Sequence, residues 1–181
     1  MDNNENSIDP SSEILIAIPE SKGSKKYKTY LGLIDSGSSG SLVNKEIVEF
    51  TNFSMQLQKK PIKWDTATGT FQTDGTVTIE KYHLPQFTRK RHITLSFHVF
   101  QKRSKLIYDF ILDRDLLNKL SIDICYSTAR FVWENIIVDM VPCNYWTEQK
   151  IRNIAKTWNM SKKTTEAEEL QLAENLPAPL A

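Results

Sequence analysis

Cysteine is scarce in this chain, net charge is almost absent, and no apolar run is long; each shortage removes a class of protein. The two cysteines, Cys125 and Cys143, form no CxxC pair and have no histidine at metal-ligand spacing, which argues against a structural zinc site or a disulfide-built scaffold. Two free thiols in a reducing, cytoplasmic setting are the expectation. Lysine and arginine number 23 against 22 aspartates and glutamates, so no global field draws the chain to nucleic acid or to an anionic membrane. No stretch approaches the ~20 apolar residues that a membrane span requires. The start, Met1-Asp2-Asn3-Asn4-Glu5-Asn6, is polar and acidic rather than basic-then-apolar. Neither GxGxxG nor GxxxxGK[ST] occurs, which disfavours a nucleotide-binding loop. The histidines, His83, His92 and His98, have no metal-ligand spacing, and the carboxylates Asp109, Asp113, Asp115 and Asp123 lack the alternation and glycine of a calcium loop. No metal and no cofactor are called for.

What is present suits one folded domain with a tail: 181 residues, of which 40% are hydrophobic and 25% charged, give one sizeable core and no room for two ordinary domains. Residues 1–12 are rich in Asn, Ser and Asp and read as a disordered leader, since they have too little apolar surface to offset the entropy of ordering. Glu13 to Ile18 and Tyr30 to Ile34 are apolar and β-branched, and the Lys/Ser/Gly stretch between them predicts a hairpin. After Asp35, the run Ser36-Gly37-Ser38-Ser39-Gly40 is a tight loop, followed by Ser41-Leu42-Val43 and a short helix-like stretch to about Phe50. Trp64 to Glu80 reads as two or three strands joined by glycine turns at Gly69 and Asp74-Gly75. Ile93, Leu95, Phe97 and Val99 alternate with polar residues, the period of a half-buried strand, which places His98 on the solvated side. Tyr108 to Leu112 reads as a buried strand, Arg114 to Leu120 as a helix, and Ile122–Ile124, Arg130–Trp133 and Ile136–Met140 as short strands. Beyond Pro142, Thr147 caps a helix with Ile151, Ile154, Ala155 and Trp158 on one face, so residues 143–181 form a helical extension and a linker. The basic clusters Arg89-Lys90-Arg91 and Lys102-Arg103-Ser104-Lys105 read as solvated turns, because no aromatic platform is interleaved with them.

The residue that invites chemistry is Asp35. It ends the apolar strand Leu31-Gly32-Leu33-Ile34 in a Gly/Ser loop, at the rim of a core, where burial and a second carboxylate tune a carboxyl group for acid–base work. Asp-Ser-Gly alone is also a common turn that needs no function. The longer segment Leu33-Ile34-Asp35-Ser36-Gly37-Ser38-Ser39-Gly40-Ser41-Leu42-Val43 resembles the active-site segment of retropepsins, especially those of gypsy-type LTR retrotransposons. Tyr108-Asp109-Phe110-Ile111-Leu112-Asp113-Arg114-Asp115-Leu116-Leu117 is similar to the apolar strand, Gly-Arg-Asp/Asn turn and helix of the same family, and the resemblance covers about Tyr27 to Pro142.

The resemblance implies an all-β, small closed barrel with one short helix after the Asp113-Arg114-Asp115 turn, spanning residues 13–142, plus a C-terminal helical extension. It implies an aspartic endopeptidase whose site is shared by two copies, with Asp35 from each as catalytic carboxylate, Ser36 bracing the loop across the two-fold axis and Gly37 letting the backbone approach substrate. Ser38, Ser39 and Ile111 would line the substrate pocket, with Ala67, Thr68 and Gly69 at the tip of a hairpin closing over the peptide. The implied partners are a second copy and a polypeptide, by default a retrotransposon polyprotein; charge and composition call for no membrane and disfavour nucleic acid for this domain. The sequence departs from the family pattern at Asp113, where Gly is expected. An unpaired carboxylate buried there would cost several kcal/mol, which keeps open a second reading, a non-catalytic dimerisation or peptide-binding module. A third reading, an unrelated β-barrel binding domain, requires both motif segments to be coincidence.

Overall fold

A computed structural model describes residues 10–66, 69–102 and 106–161. In chain order the elements are β1 (Pro10–Ser11), β2 (Glu13–Pro19), β3 (Tyr27–Asp35), β4 (Leu42–Asn44), α1 (Lys45–Thr51), β5 (Met55–Thr66), β6 (Gly69–Tyr82), β7 (Ile93–Phe100) and β8 (Phe110–Asp113). They continue as α2 (Arg114–Leu120), β9 (Ile122–Cys125), β10 (Arg130–Trp133), β11 (Ile136–Asp139), β12 (Val141–Pro142) and α3 (Glu148–Ser161). The chain is mostly strand, with three short helices among the described residues.

Seven strands form the main sheet in the order β2-β3-β8-β4-β7-β6-β5. The expected hairpin is the antiparallel pair β2–β3, and β3 then pairs in parallel with β8, far along the chain. Every residue of β2 is buried, which is why this stretch reads as a continuous apolar run. One face of the sheet carries the core, with Phe110 and Val43 at 0% and Val99 at 4% exposure in register across β8, β4 and β7. Burying each such side chain fully is worth about 1.5–3 kcal/mol as an upper bound.

Among the described residues no continuous ladder joins the two edges of the seven-stranded sheet. Ala17 in β2 meets His83, just past β6, in an isolated antiparallel bridge with both backbone bonds made, at 3.0 and 2.8 Å. Extending that register in either direction would place Pro19 opposite Lys81 or Leu15 opposite Pro85. A proline brings no N–H to a ladder, and the Leu15 N–H donates instead to Gln86 Oε1 at 2.7 Å. The bridge is consolidated by His83 Nδ1 against the Arg91 carbonyl at 2.6 Å and by the edge-on contact of His83 with Tyr27.

Three further readings change. Asp74-Gly75 is not a turn: both lie inside β6, where Gly75 pairs with Leu57 and a register shift in β5 between Leu57 and Ile62 absorbs the extra residues. The start of β5, with its lysines and Pro61, escapes sequence reading because it is exposed on both sides and shows no alternation. Pro10 and Ser11, read as part of a loose leader, pair with Pro142 and Val141; two-residue strands held by a distant partner leave no local apolar signature. Residues 1–9, Ala67, Thr68 and the linker from residue 162 lie outside the described residues.

α1 is capped by Asn44, whose Oδ1 accepts from the Glu46 N–H at 3.2 Å, and α2 by Asp113. β9, β10 and β11 form a separate antiparallel sheet. Its inner residues, Phe131 and Trp133, pack on Phe87 and join the same core. At α3, Thr147 Oγ1 accepts from the Lys150 N–H at 3.3 Å, the cap expected, and the helix lies against β3 with Ile151, Ile154 and Ala155 half-buried. Arg91 of the basic cluster pairs with Glu134 at 2.8 Å, and Lys102 with Asp109 at 3.0 Å. Cys125 and Cys143 are both free. No helix among the described residues is long and apolar enough to cross a membrane.

Candidate active site

Register partners on neighbouring strands present their side chains to the same side of a sheet. Leu33 pairs with Ile111, Ile111 with Leu42, Leu42 with His98, and His98 with Thr76. These five residues make one row across β3, β8, β4, β7 and β6, on the face opposite the Phe110–Val43–Val99 core row. All but Leu42 are half-exposed. Two positions further along β3, on the same side, stands Asp35.

Asp35 is half-buried at the end of β3, and the loop that follows is folded around it. Its Oδ1 accepts the Gly37 N–H at 2.9 Å, and its carbonyl accepts the Ser38 N–H at 3.1 Å, a turn closed by the aspartate itself. Ser38 Oγ donates to the Gly40 carbonyl at 2.7 Å, which braces the far side of the loop. Ser36, Gly37 and Ser39 are exposed, so this loop leaves one carboxylate oriented by a backbone donor and a rim of small groups open to solvent. Of the residues read as a site from sequence, the fold brings Ile111 to the loop through the β3–β8 pairing. Gly69 sits at the far end of the β5–β6 hairpin, next to the undescribed Ala67 and Thr68, with its carbonyl accepting from Thr66 Oγ1 at 2.7 Å and a φ of +134° that favours glycine.

Asp113 pairs in parallel register with Asp35 and is only 6% exposed. It is not unpaired, as feared from sequence. Its Oδ1 accepts the Ser41 hydroxyl at 2.9 Å and the Leu116 N–H at 2.9 Å, while its own N–H donates to Ser41 Oγ at 3.1 Å. The side chain that replaces the expected glycine therefore caps α2 and clamps the strand leaving the Asp35 loop. A buried polar group so satisfied costs far less than an orphan, whose desolvation alone runs to about 1–3 kcal/mol. Its negative charge reaches Tyr82, a fully buried phenol whose hydroxyl has no hydrogen-bond partner among the described residues and whose pKa is driven upward, first by burial and then by Asp113.

His98 is the residue that sequence reading misplaced. Alternation correctly set it opposite Phe97 and Val99, but that face is covered here. Its Nδ1 is buried without a partner among the described residues, and burial lowers its pKa below the ordinary 6.5, an effect the Asp113 charge partly opposes. The cover is Trp64 of the hairpin, edge-on to the His98 ring at 5.1 Å, stacked on Phe71 across the hairpin at 6.0 Å, with its Nε1–H donating to Thr73 Oγ1 at 2.9 Å. Ser41, His98 and Trp64 thus lie beside the Asp35 loop, Ser41 and His98 through the pairing of β4 with β7 and β8, and Trp64 through its contact with His98.

Against solved structures, the retroviral protease-like domain of Ddi1 from Leishmania major aligns with a TM-score of 0.51 at 16% identity, over 76% of this chain and 98% of that one. The fold is retropepsin-like. At that identity the likeness speaks for the fold alone. A protein of unknown function from Legionella pneumophila, Lpg0085, aligns with a TM-score of 0.30 at 14% identity, over 60% of this chain and 84% of that one. No protein-family model and no curated protein matches the chain.

Proposed function

We propose that this retropepsin-like chain is one half of an aspartic endopeptidase. The observation that carries the reading is the Asp35 carboxylate, half-exposed and fixed by the Gly37 N–H in a loop of small residues, at the end of a face that the β5–β6 hairpin overhangs. One such loop supplies one carboxylate, so the working site takes a second copy related by a two-fold axis. Two Asp35 carboxylates brought together share a proton and titrate as a coupled pair. One withdraws a proton from water as it attacks the peptide carbonyl, and the other donates to the developing oxyanion. Ser36 and Gly37 keep the roles the resemblance implies, bracing the paired loops and admitting the substrate backbone. Ser38, Ser39 and Ile111 line the cleft, and the β5–β6 hairpin closes over it. A polypeptide is the substrate class, with the polyprotein of an LTR retrotransposon as the natural candidate.

A second reading, a dimerising or peptide-binding module without catalysis, is favoured by one observation: a buried carboxylate, Asp113, lies in register with Asp35. The deciding experiment is cleavage of a peptide library at about pH 4 to 7, where coupled carboxylates work, by the chain beside Asp35→Asn. Cleavage by the chain and none by the variant supports the aspartic mechanism; equal cleavage by both removes Asp35 from it. A folded dimer that cleaves nothing and binds no statine-type inhibitor favours the module.

A further inference from the structure

The row Leu33–Ile111–Leu42–His98–Thr76 forms a floor running outward from Asp35, and it ends under an aromatic wall. At its far end Trp64 stands on His98, and the Gly40 backbone closes the side nearest the loop. A Cβ placed on Gly40 would lie 2.5 Å from Trp64 Cη2 and 3.2 Å from His98 Cδ2, so the indole touches the loop with no space to spare. Trp64 is positioned from three directions: by stacking on Phe71, by the bond to the buried Thr73 hydroxyl, and by the His98 ring. A side chain held in this way is a wall rather than a mobile cover.

Resting on the peptide-cleft reading above, we infer that Trp64 is a specificity-determining residue, which fills the side-chain space over Gly40 and His98 so that the cleft takes a small residue there and rejects large ones. An extended peptide alternates its side chains between two faces, so a single position on each side of the reacting bond meets this wall when two copies face each other. Gly, Ala and Ser fit beside the indole; Leu, Phe and Trp meet it.

The test separates this inference from catalysis by using binding. An array of short peptides, varied one position at a time, is probed with the Asp35→Asn chain and with Asp35→Asn/Trp64→Ala, each checked for folding by near-ultraviolet circular dichroism and thermal unfolding. The first excludes large residues at one position, and the second accepts Leu and Phe there with at least about ten-fold tighter binding than the first, as expected for opening an apolar pocket. If Trp64→Ala does not fold, Trp64→Leu keeps an apolar cover on His98 and gives a smaller widening at the same position. An unchanged preference, a change spread evenly over all positions, or no peptide bound by either chain overturns the inference. Cleavage by the parent chain is scored separately, so a Trp64-dependent preference in a chain that never cleaves leaves the pocket standing and removes the protease reading.

Discussion

The Asp35 loop and the β5–β6 hairpin meet at Gly40, yet they are built on opposite principles. The loop is set between strands that are buried on the core side, its turns are closed by its own side chains, Asp35 to Gly37 and Ser38 to Gly40, and the distant Asp113 clamps its end through Ser41. The hairpin's distal half is exposed along most of its length, with residues 65, 66, 69 and 70 open to solvent, and its aromatic pair Trp64–Phe71 ties it down. Groups that must hold a geometry are placed where neighbours over-determine them. The exposed end of the hairpin is left with few buried contacts, at the low end of local stability.

The contrast is broken most sharply at Asp35. Asp35→Asn should reduce peptide cleavage by roughly 10²–10⁴-fold while leaving the unfolding midpoint within experimental error, because the amide oxygen still accepts from Gly37; a matching loss of stability would make Asp35 a structural turn residue. Gly40→Ala should destabilise by about 1–3 kcal/mol through overpacking against Trp64. In a double-mutant cycle by denaturant unfolding, most of that loss should vanish in the Trp64→Ala background, and strict additivity would show that the two regions do not press on each other. Asp113→Ala should also cost about 1–3 kcal/mol, by orphaning the Ser41 hydroxyl and the Leu116 N–H, whereas Asp113→Asn, which can still cap α2, should lose less.

Smaller in effect is the pH dependence from His98. Its pKa is lowered in the folded chain by burial, so the unfolded chain binds the proton more readily and stability rises with pH through this group. Its contribution is intact above the ordinary value of 6.5 and declines as pH falls below it. Comparing unfolding midpoints of the parent and His98→Gln through that window should give a flatter profile for the variant. Smallest is Thr73→Val, which removes the acceptor for Trp64 Nε1 and should cost about 1 kcal/mol, seen as a slight shift in thermal midpoint together with altered tryptophan fluorescence.

Much of this architecture is legible in local pattern, where the physics is local. Alternation around Ile93 to Val99 marks β7, the leucine spacing after Asp113 marks α2, and Thr147 announces α3, because side-chain period and capping depend on residues a few positions apart. The Asp35 turn is likewise closed within three residues. By contrast, nothing near Asp74-Gly75 says that this pair runs straight through β6, since its partner Leu57 carries the irregularity instead. Pro10–Ser11 is a strand only because Val141–Pro142 lies beside it.

The site divides in the same way. Composition and the order of residues along the chain determine that Asp35 sits in a tight loop of small residues after an apolar strand, since Gly and Ser admit little else there. Whether Asp113 is a liability or a cap, and whether His98 faces water or an indole, were settled by strand register between segments as far apart in the chain as Asp35 and Asp113. Register across a sheet is set by the sum of many long-range pairings competing for one core, and no single segment contains that sum.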